Sequence, residues 1–167
     1  MNNYERMQDD GQKDGVESLE FPFQSDRIKG LYSDGIIAIN SNIETYVEKG
    51  CYYAEELGHH HTTYGSILDQ NDVSNRKQEL RARIWAYNYQ IGLIGLVRAY
   101  EHGCRNRFEV AEFLEVTEEV LEECLTFYRN KYGVCANVDN YVVYFIPNLV
   151  IMILIESKRK KYENIFT

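Results

Sequence analysis

The segment 41–61 constrains this chain more than any other. Ser41-Asn42-Ile43-Glu44 has the form of a capping box, in which a serine hydroxyl and a glutamate three residues on satisfy free backbone N–H groups at a helix start. Ile43, Val47, Cys51, Ala54 and Gly58 then recur at three- and four-residue steps, which predicts a helix running to about His60 with one apolar stripe. Beside that stripe lies Ala54-Glu55-Glu56-Leu57-Gly58-His59-His60-His61. Glu55 and His59 are four apart, so they share a helix face and flank the stripe. A carboxylate and an imidazole next to a buried face need partners, and a divalent metal is one. Glu56 is displaced by about 100° around the helix, which sets it beside such an ion without making it a ligand.

This is the geometry of the H-E-x-x-H zinc helix with Glu55 at the place of the first histidine. The third ligand has to come from another helix. Ser74 or Asn75 is read as the cap of a second helix, after a loop containing Gly65, Asp69, Asn71 and Asp72. Its apolar stripe is Leu80, Ile84, Tyr87 and Ile91, and it either continues to Tyr100 or is bent or stopped at Gly92 or Gly95. Glu79 falls in its first turn and is the candidate ligand. Ala82 and Ala86 are small enough to let the two helices approach closely near Gly58. Plainer readings exist for each residue. Glu55 and His59 match a solvated surface pair worth a few tenths of a kcal/mol. Glu79 matches an N-terminal carboxylate favoured by the helix dipole. The pair Glu56 and His60 is also spaced by four, but it would put Leu57 in the position of the base. His60 and His61 are read as neighbours that orient ligands or face the cleft, and Trp85, Tyr87 and Tyr89 as packing residues.

The remaining segments predict an α+β chain forming one domain. Residues 1–18 are polar, with a short helix near Tyr4 limited by Gly11 and Gly15. Leu19 to Phe23, Ile28 to Tyr32 and Ile36 to Ile39, with a turn at Ser33-Asp34-Gly35, predict a small N-terminal antiparallel sheet. That sheet packs on the metal helix and the second ligand helix, together spanning 19–100. A helical pair follows within 106–133, at 108–115 and 118–132, capped by Thr117 and ended by Gly133. Segment 134–167 reads as a C-terminal β-hairpin, 141–145 with 149–155 about Pro147-Asn148, and a basic tail at Lys158 to Lys161.

The formal charge of −8 opposes nucleic acid or an anionic membrane as a default partner. The helical pair has the outline of a helix-turn-helix, but its second helix opens with Glu118, Glu119, Glu122 and Glu123, which phosphates would repel. Its expected role is packing behind the site or docking a basic protein. Cys51, Cys104, Cys124 and Cys135 form no C-x-x-C pair, so they are read as reduced thiols of a cytoplasmic protein. The first twenty residues have no secretory pattern, and the longest apolar run is too short for a bilayer.

The chain resembles the ImmA/IrrE metallopeptidases, in particular the forms carried by phages and mobile elements. The resemblance lies in Glu20-Phe21-Pro22-Phe23, Ile28-Lys29-Gly30-Leu31-Tyr32, Ala54 to His61, Lys77 to Ala82, Trp85-Ala86-Tyr87, and Glu109 to Glu119. It implies metal ligands at Glu55, His59 and Glu79 and a catalytic base at Glu56. It also implies a zinc ion, with manganese or iron as alternatives, and a protein substrate that is a DNA-binding helix-turn-helix repressor. Glu55 departs from the family's histidine. With Glu55, His59 and Glu79 a dication sums to zero charge instead of the +1 of a two-histidine site. Water beside it would then stay less acidic than the roughly 7 of good zinc hydrolases, and oxygen ligands would favour manganese or iron. The expectation is an endopeptidase that relieves repression. The alternative is a non-catalytic anti-repressor whose metal site is altered or empty.

Overall fold

The computed structural model describes residues 1–63 and 72–154. In chain order its elements are α1 (Asn3–Lys13), β1 (Glu17–Phe21), β2 (Gly30–Ser33), β3 (Ile36–Asn40) and α2 (Tyr46–Thr62). Then come α3 (Asp72–Gln90), α4 (Gly92–His102), α5 (Arg107–Leu114), α6 (Glu118–Tyr132), β4 (Cys135–Val138), β5 (Tyr141–Tyr144) and β6 (Val150–Ile153). The class is α+β, with a three-stranded sheet near each end of the chain and helices between.

The polar start of the chain holds a full helix. The Asn2 side chain accepts the Glu5 N–H at 2.9 Å, and the Glu5 carboxylate takes the Asn2 N–H at 3.0 Å, so a capping box does begin a helix, but here. Gly11 lies inside α1 instead of limiting it. A Cβ there would stand 2.6 Å from the Tyr53 hydroxyl, so the missing side chain is what lets α1 lie against α2.

The N-terminal sheet has the order β1-β3-β2 and is mixed, which corrects the expected antiparallel sheet. β2 and β3 form the expected hairpin about Asp34 and Gly35, both at positive φ. β1 runs parallel to β3, with Glu17 opposite Ile36 and Phe21 opposite Asn40. Segment 22–29 carries the chain past β3 to its far edge, and an alternating pattern holds no information on strand direction. Inward residues Ile37 and Ile39 are fully buried under α2.

Thr45, not Ser41, caps α2, its Oγ1 accepting the Glu48 N–H at 3.1 Å. Residues 40–43 form a turn instead, in which the Asn40 side chain accepts the Asn42 N–H at 3.0 Å and its carbonyl the Ile43 N–H at 3.2 Å. α3 begins at Asp72, ahead of Ser74 and Asn75, so neither is its cap. The predicted loop residues Gly65, Asp69 and Asn71 lie outside the described residues. Of the expected α3 stripe only Tyr87 and Ile91 are buried, and Leu80 is exposed. Ala82 and Ala86 take the interface because α2 comes too close for larger side chains. Of the readings left open for its end, the break at Gly92 is the one that occurs, at φ +59.

Thr117 Oγ1 accepts the Val120 N–H at 3.2 Å and Gly133 ends α6, as the sequence indicates. The C-terminal hairpin gains a further strand, because β4 pairs with β5 and β5 with β6 in an antiparallel sheet. The basic stretch 158–161 lies outside the described residues. Two apolar clusters result. Tyr4, Met7, Ile37, Ile39, Tyr53, Ala54, Leu57 and Ala86 join α1, the first sheet, α2 and α3. Tyr87, Leu96, Leu121, Cys124, Tyr128, Val143 and Phe145 join α3 to α6 and the second sheet. No helix among the described residues is long and apolar enough to cross a membrane.

Candidate active site

α2 and α3 touch where both lack bulk. A Cβ on Gly58 would lie 2.3 Å from the Ala82 carbonyl oxygen, 2.8 Å from its carbon and 2.9 Å from its Cα. That contact sets the register of the two helices. Glu79, three residues before Ala82, meets His59, with Oε2 3.5 Å from Nε2. Arg83, the residue after Ala82, meets Glu55, with Nη2 3.4 Å from Oε1. Because α3 begins at Asp72, Glu79 lies about two turns inside the helix and not in its first turn. It is therefore beyond the range in which the N-terminal dipole favours a carboxylate.

β2 closes the remaining side. Gly30 and Tyr32 face α2, and Glu56 rises between them. A Cβ on Gly30 would stand 2.9 Å from Glu56 Oε1 and 3.0 Å from its Cγ. The Tyr32 main-chain N–H lies on the Glu56 side of the strand and favours its ionised carboxylate. The result is a cleft of about 350 Å³ lined by Gly30, Leu31, Tyr32, Glu55, Glu56, His59 and Glu79, among others. Burial pushes the Glu56 carboxyl up to about 7. The neighbouring charges of Glu55 and Glu79 push the same way, and the Tyr32 N–H acts against them. A carboxyl poised near neutrality is suited to moving protons in both directions.

The structure thus brings all four predicted site residues to one cleft. Gly30 and Tyr32 also line the cleft; they fall in a segment that carries the family resemblance, but the sequence analysis gives neither an individual role. The available signal was a glycine within a strand, which marks a close approach by another group. The neighbouring histidines are occupied elsewhere. His60 Nδ1 is 3.0 Å from the Tyr32 hydroxyl, which leaves the register Glu56–His60 without support. His61 stacks on Trp85 at 4.6 Å, and its Nε2 is 3.3 Å from Asp14. Trp85 in turn stacks on Tyr89, whose hydroxyl donates to Asp10. His102, away from the cleft, stacks on Phe113.

Two carboxylates and an imidazole in one cleft have the donor chemistry for zinc, manganese or iron(II). Their arrangement departs from a ligand set in one respect. Glu55 is engaged by Arg83, and among the described residues no three His, Cys, Asp or Glu side chains group as a metal site.

A helix carrying Glu55, Glu56 and His59, a glutamate from the next helix and a strand along the rim give the cleft a metallopeptidase-like layout. The family model of the IrrE N-terminal-like domain, peptidase family M78, matches residues 12–126. The chain belongs to this family, which is one of metallopeptidases and so implies a metal. The matched span includes every cleft residue named above and ends within α6, so the second sheet lies outside it. No curated protein and no solved structure shows significant similarity to the chain.

Proposed function

We propose that the protein is a metal-dependent endopeptidase that cleaves a helix-turn-helix repressor of a phage or mobile element, in the cytoplasm, and so relieves repression. The observation that carries this reading is the meeting of Glu55, Glu56, His59 and Glu79 in one cleft beneath β2. Glu55, His59 and Glu79 would hold the ion, zinc in the first instance, with manganese or iron suited to the oxygen-rich donors. Such an ion, when bound, supplies Lewis-acid activation of a carbonyl and of water. Glu56 takes the proton from the attacking water and passes it to the leaving amine. The missing side chain of Gly30 leaves room for the Glu56 carboxylate in the cleft. β2 is an edge strand, so an extended peptide can add to it and lie across the cleft.

The repressor as substrate rests on the family resemblance and on charge. A chain of net charge −8, with Glu118, Glu119, Glu122 and Glu123 on one helix, suits docking onto a basic DNA-binding protein. The test is incubation of the protein and its Glu56→Gln variant with a helix-turn-helix repressor and zinc or manganese, read by mass spectrometry. Discrete cleavage by the native chain alone is the expected result. A second reading, a non-catalytic anti-repressor, is favoured by the engagement of Glu55 with Arg83. It predicts relief of repression without cleavage, undiminished in Glu56→Gln.

A further inference from the structure

We propose that Arg83 is a built-in competitor for the candidate metal site, holding Glu55 out of the donor set until its guanidinium is taken over by the glutamates of α6. The inference rests on the reading of Glu55, His59 and Glu79 as metal ligands. Arg83 stands at the junction of α2, α3 and α6. On one side its Nη2 is 3.4 Å from Glu55 Oε1. On the other is a separate cavity of about 240 Å³, lined by Glu48, Glu55, Arg83, Glu119 and Glu123. Glu55 thus borders both the cleft and this second cavity. Glu123 is held nearby by the Tyr87 hydroxyl, which donates to its Oε2 at 2.7 Å.

A guanidinium cannot give up its charge to yield the site. Glu55 therefore serves either a monovalent side chain or a divalent ion, and Arg83 has a second acidic seat ready. The pair is partly exposed, 26% for Glu55 and 46% for Arg83, so its hold is modest and the competition amounts to a small factor in affinity.

The test measures zinc and manganese affinity of the full chain by competition with a chromophoric chelator, with folding checked by circular dichroism. Arg83→Gln should bind each ion about fivefold more tightly, the equivalent of a surface pair removed. Arg83→Lys, which keeps the charge, should stay within about twofold of the native chain. In a Glu55→Gln background Arg83→Gln should have no effect, a cycle that separates this pairing from a general change of field. Glu123→Gln, which removes the second seat, should weaken metal binding and serves if Arg83→Gln does not fold. Unchanged or weaker affinity in Arg83→Gln, the same gain without Glu55, or no response to Glu123→Gln would overturn the competition alone. No binding by any variant would overturn the metal reading of the site along with it.

Discussion

Gly58→Ala tests the contact on which the whole cleft depends. The added Cβ would meet three backbone atoms of Ala82, the nearest at 2.3 Å. An ordinary carbon–oxygen approach is about 3.3 Å, so α2 and α3 must part by about 1 Å. No side chain can rotate aside, because the obstacle is main chain. Overpacking of this kind costs about 1–3 kcal/mol, and here the upper part of that range applies. Alanine returns up to about 1 kcal/mol through its helix propensity. The net loss is about 2 kcal/mol, or about 4–8 °C in Tm for a chain of this size. The displacement also separates His59 from Glu79, now 3.5 Å apart, so zinc affinity should fall by at least about tenfold. Urea unfolding by circular dichroism and chelator competition measure the two effects. If Gly58→Ala proves as stable as the native chain, or gains the propensity term, then the helices do not touch at this point and the register of Glu79 and Arg83 is wrong.

The cradle of Glu56 is open to a milder test. Gly30→Ala directs a methyl group at the movable end of Glu56, so stability should change by less than about 1 kcal/mol, while any peptidase activity falls by about tenfold or more. Glu56 itself should mark the pH dependence of the metal-free protein. Its folded pKa of about 7 lies above the ordinary 4.5, so the folded state keeps a proton that the unfolded chain releases between these values. Stability is lost as pH rises through that window and levels off above it. Glu56→Gln should therefore gain on the native chain by up to about 3 kcal/mol between pH 4.5 and 7.5, as read by urea unfolding with a chelator present. A difference that does not vary with pH would refute the assigned burial. Lys49, 9% exposed, donates to Glu20 at 2.7 Å, where Tyr4 also donates, so Lys49→Ala should destabilise the chain by about 1–2 kcal/mol in the same assay.

What the sequence made legible was local. The stripe of Cys51, Ala54 and Gly58 marked a buried helix face, and the spacing of Glu55, Glu56 and His59 marked what that helix carries. Thr117 and Gly133 marked the limits of α6 because caps act within a single turn. What stayed hidden depends on residues far apart in the chain. Gly11 reads as a helix breaker until Tyr53 is placed against it. The parallel pairing of β1 with β3 is absent from an alternating pattern that any strand direction would satisfy. The capping box at Ser41 was outweighed by Asn40, which draws residues 42 and 43 into a turn. Arg83 lies 28 residues from Glu55, and only the close approach of Gly58 to Ala82 makes them neighbours.

The electrostatics of the cleft would suit a cation on grounds independent of any motif. Glu55, Glu56 and Glu79 border one space of about 350 Å³, and the imidazole of His59 is the basic side chain beside them. Three ionised carboxylates that close repel one another, and the fold relieves the repulsion in two visible ways. Glu56 retains its proton up to about pH 7, and Glu55 takes the guanidinium of Arg83. Each device neutralises one charge and leaves Glu79, more than half exposed, against an imidazole that carries a compensating charge only when protonated. A divalent ion between these groups would remove the cause of both devices at once, stabilising the ionised form of Glu56 and offering Glu55 a stronger partner than Arg83. A buried carboxyl whose pKa is raised by burial and by its acidic neighbours, set in a cleft, is the kind of group that folds keep for chemistry.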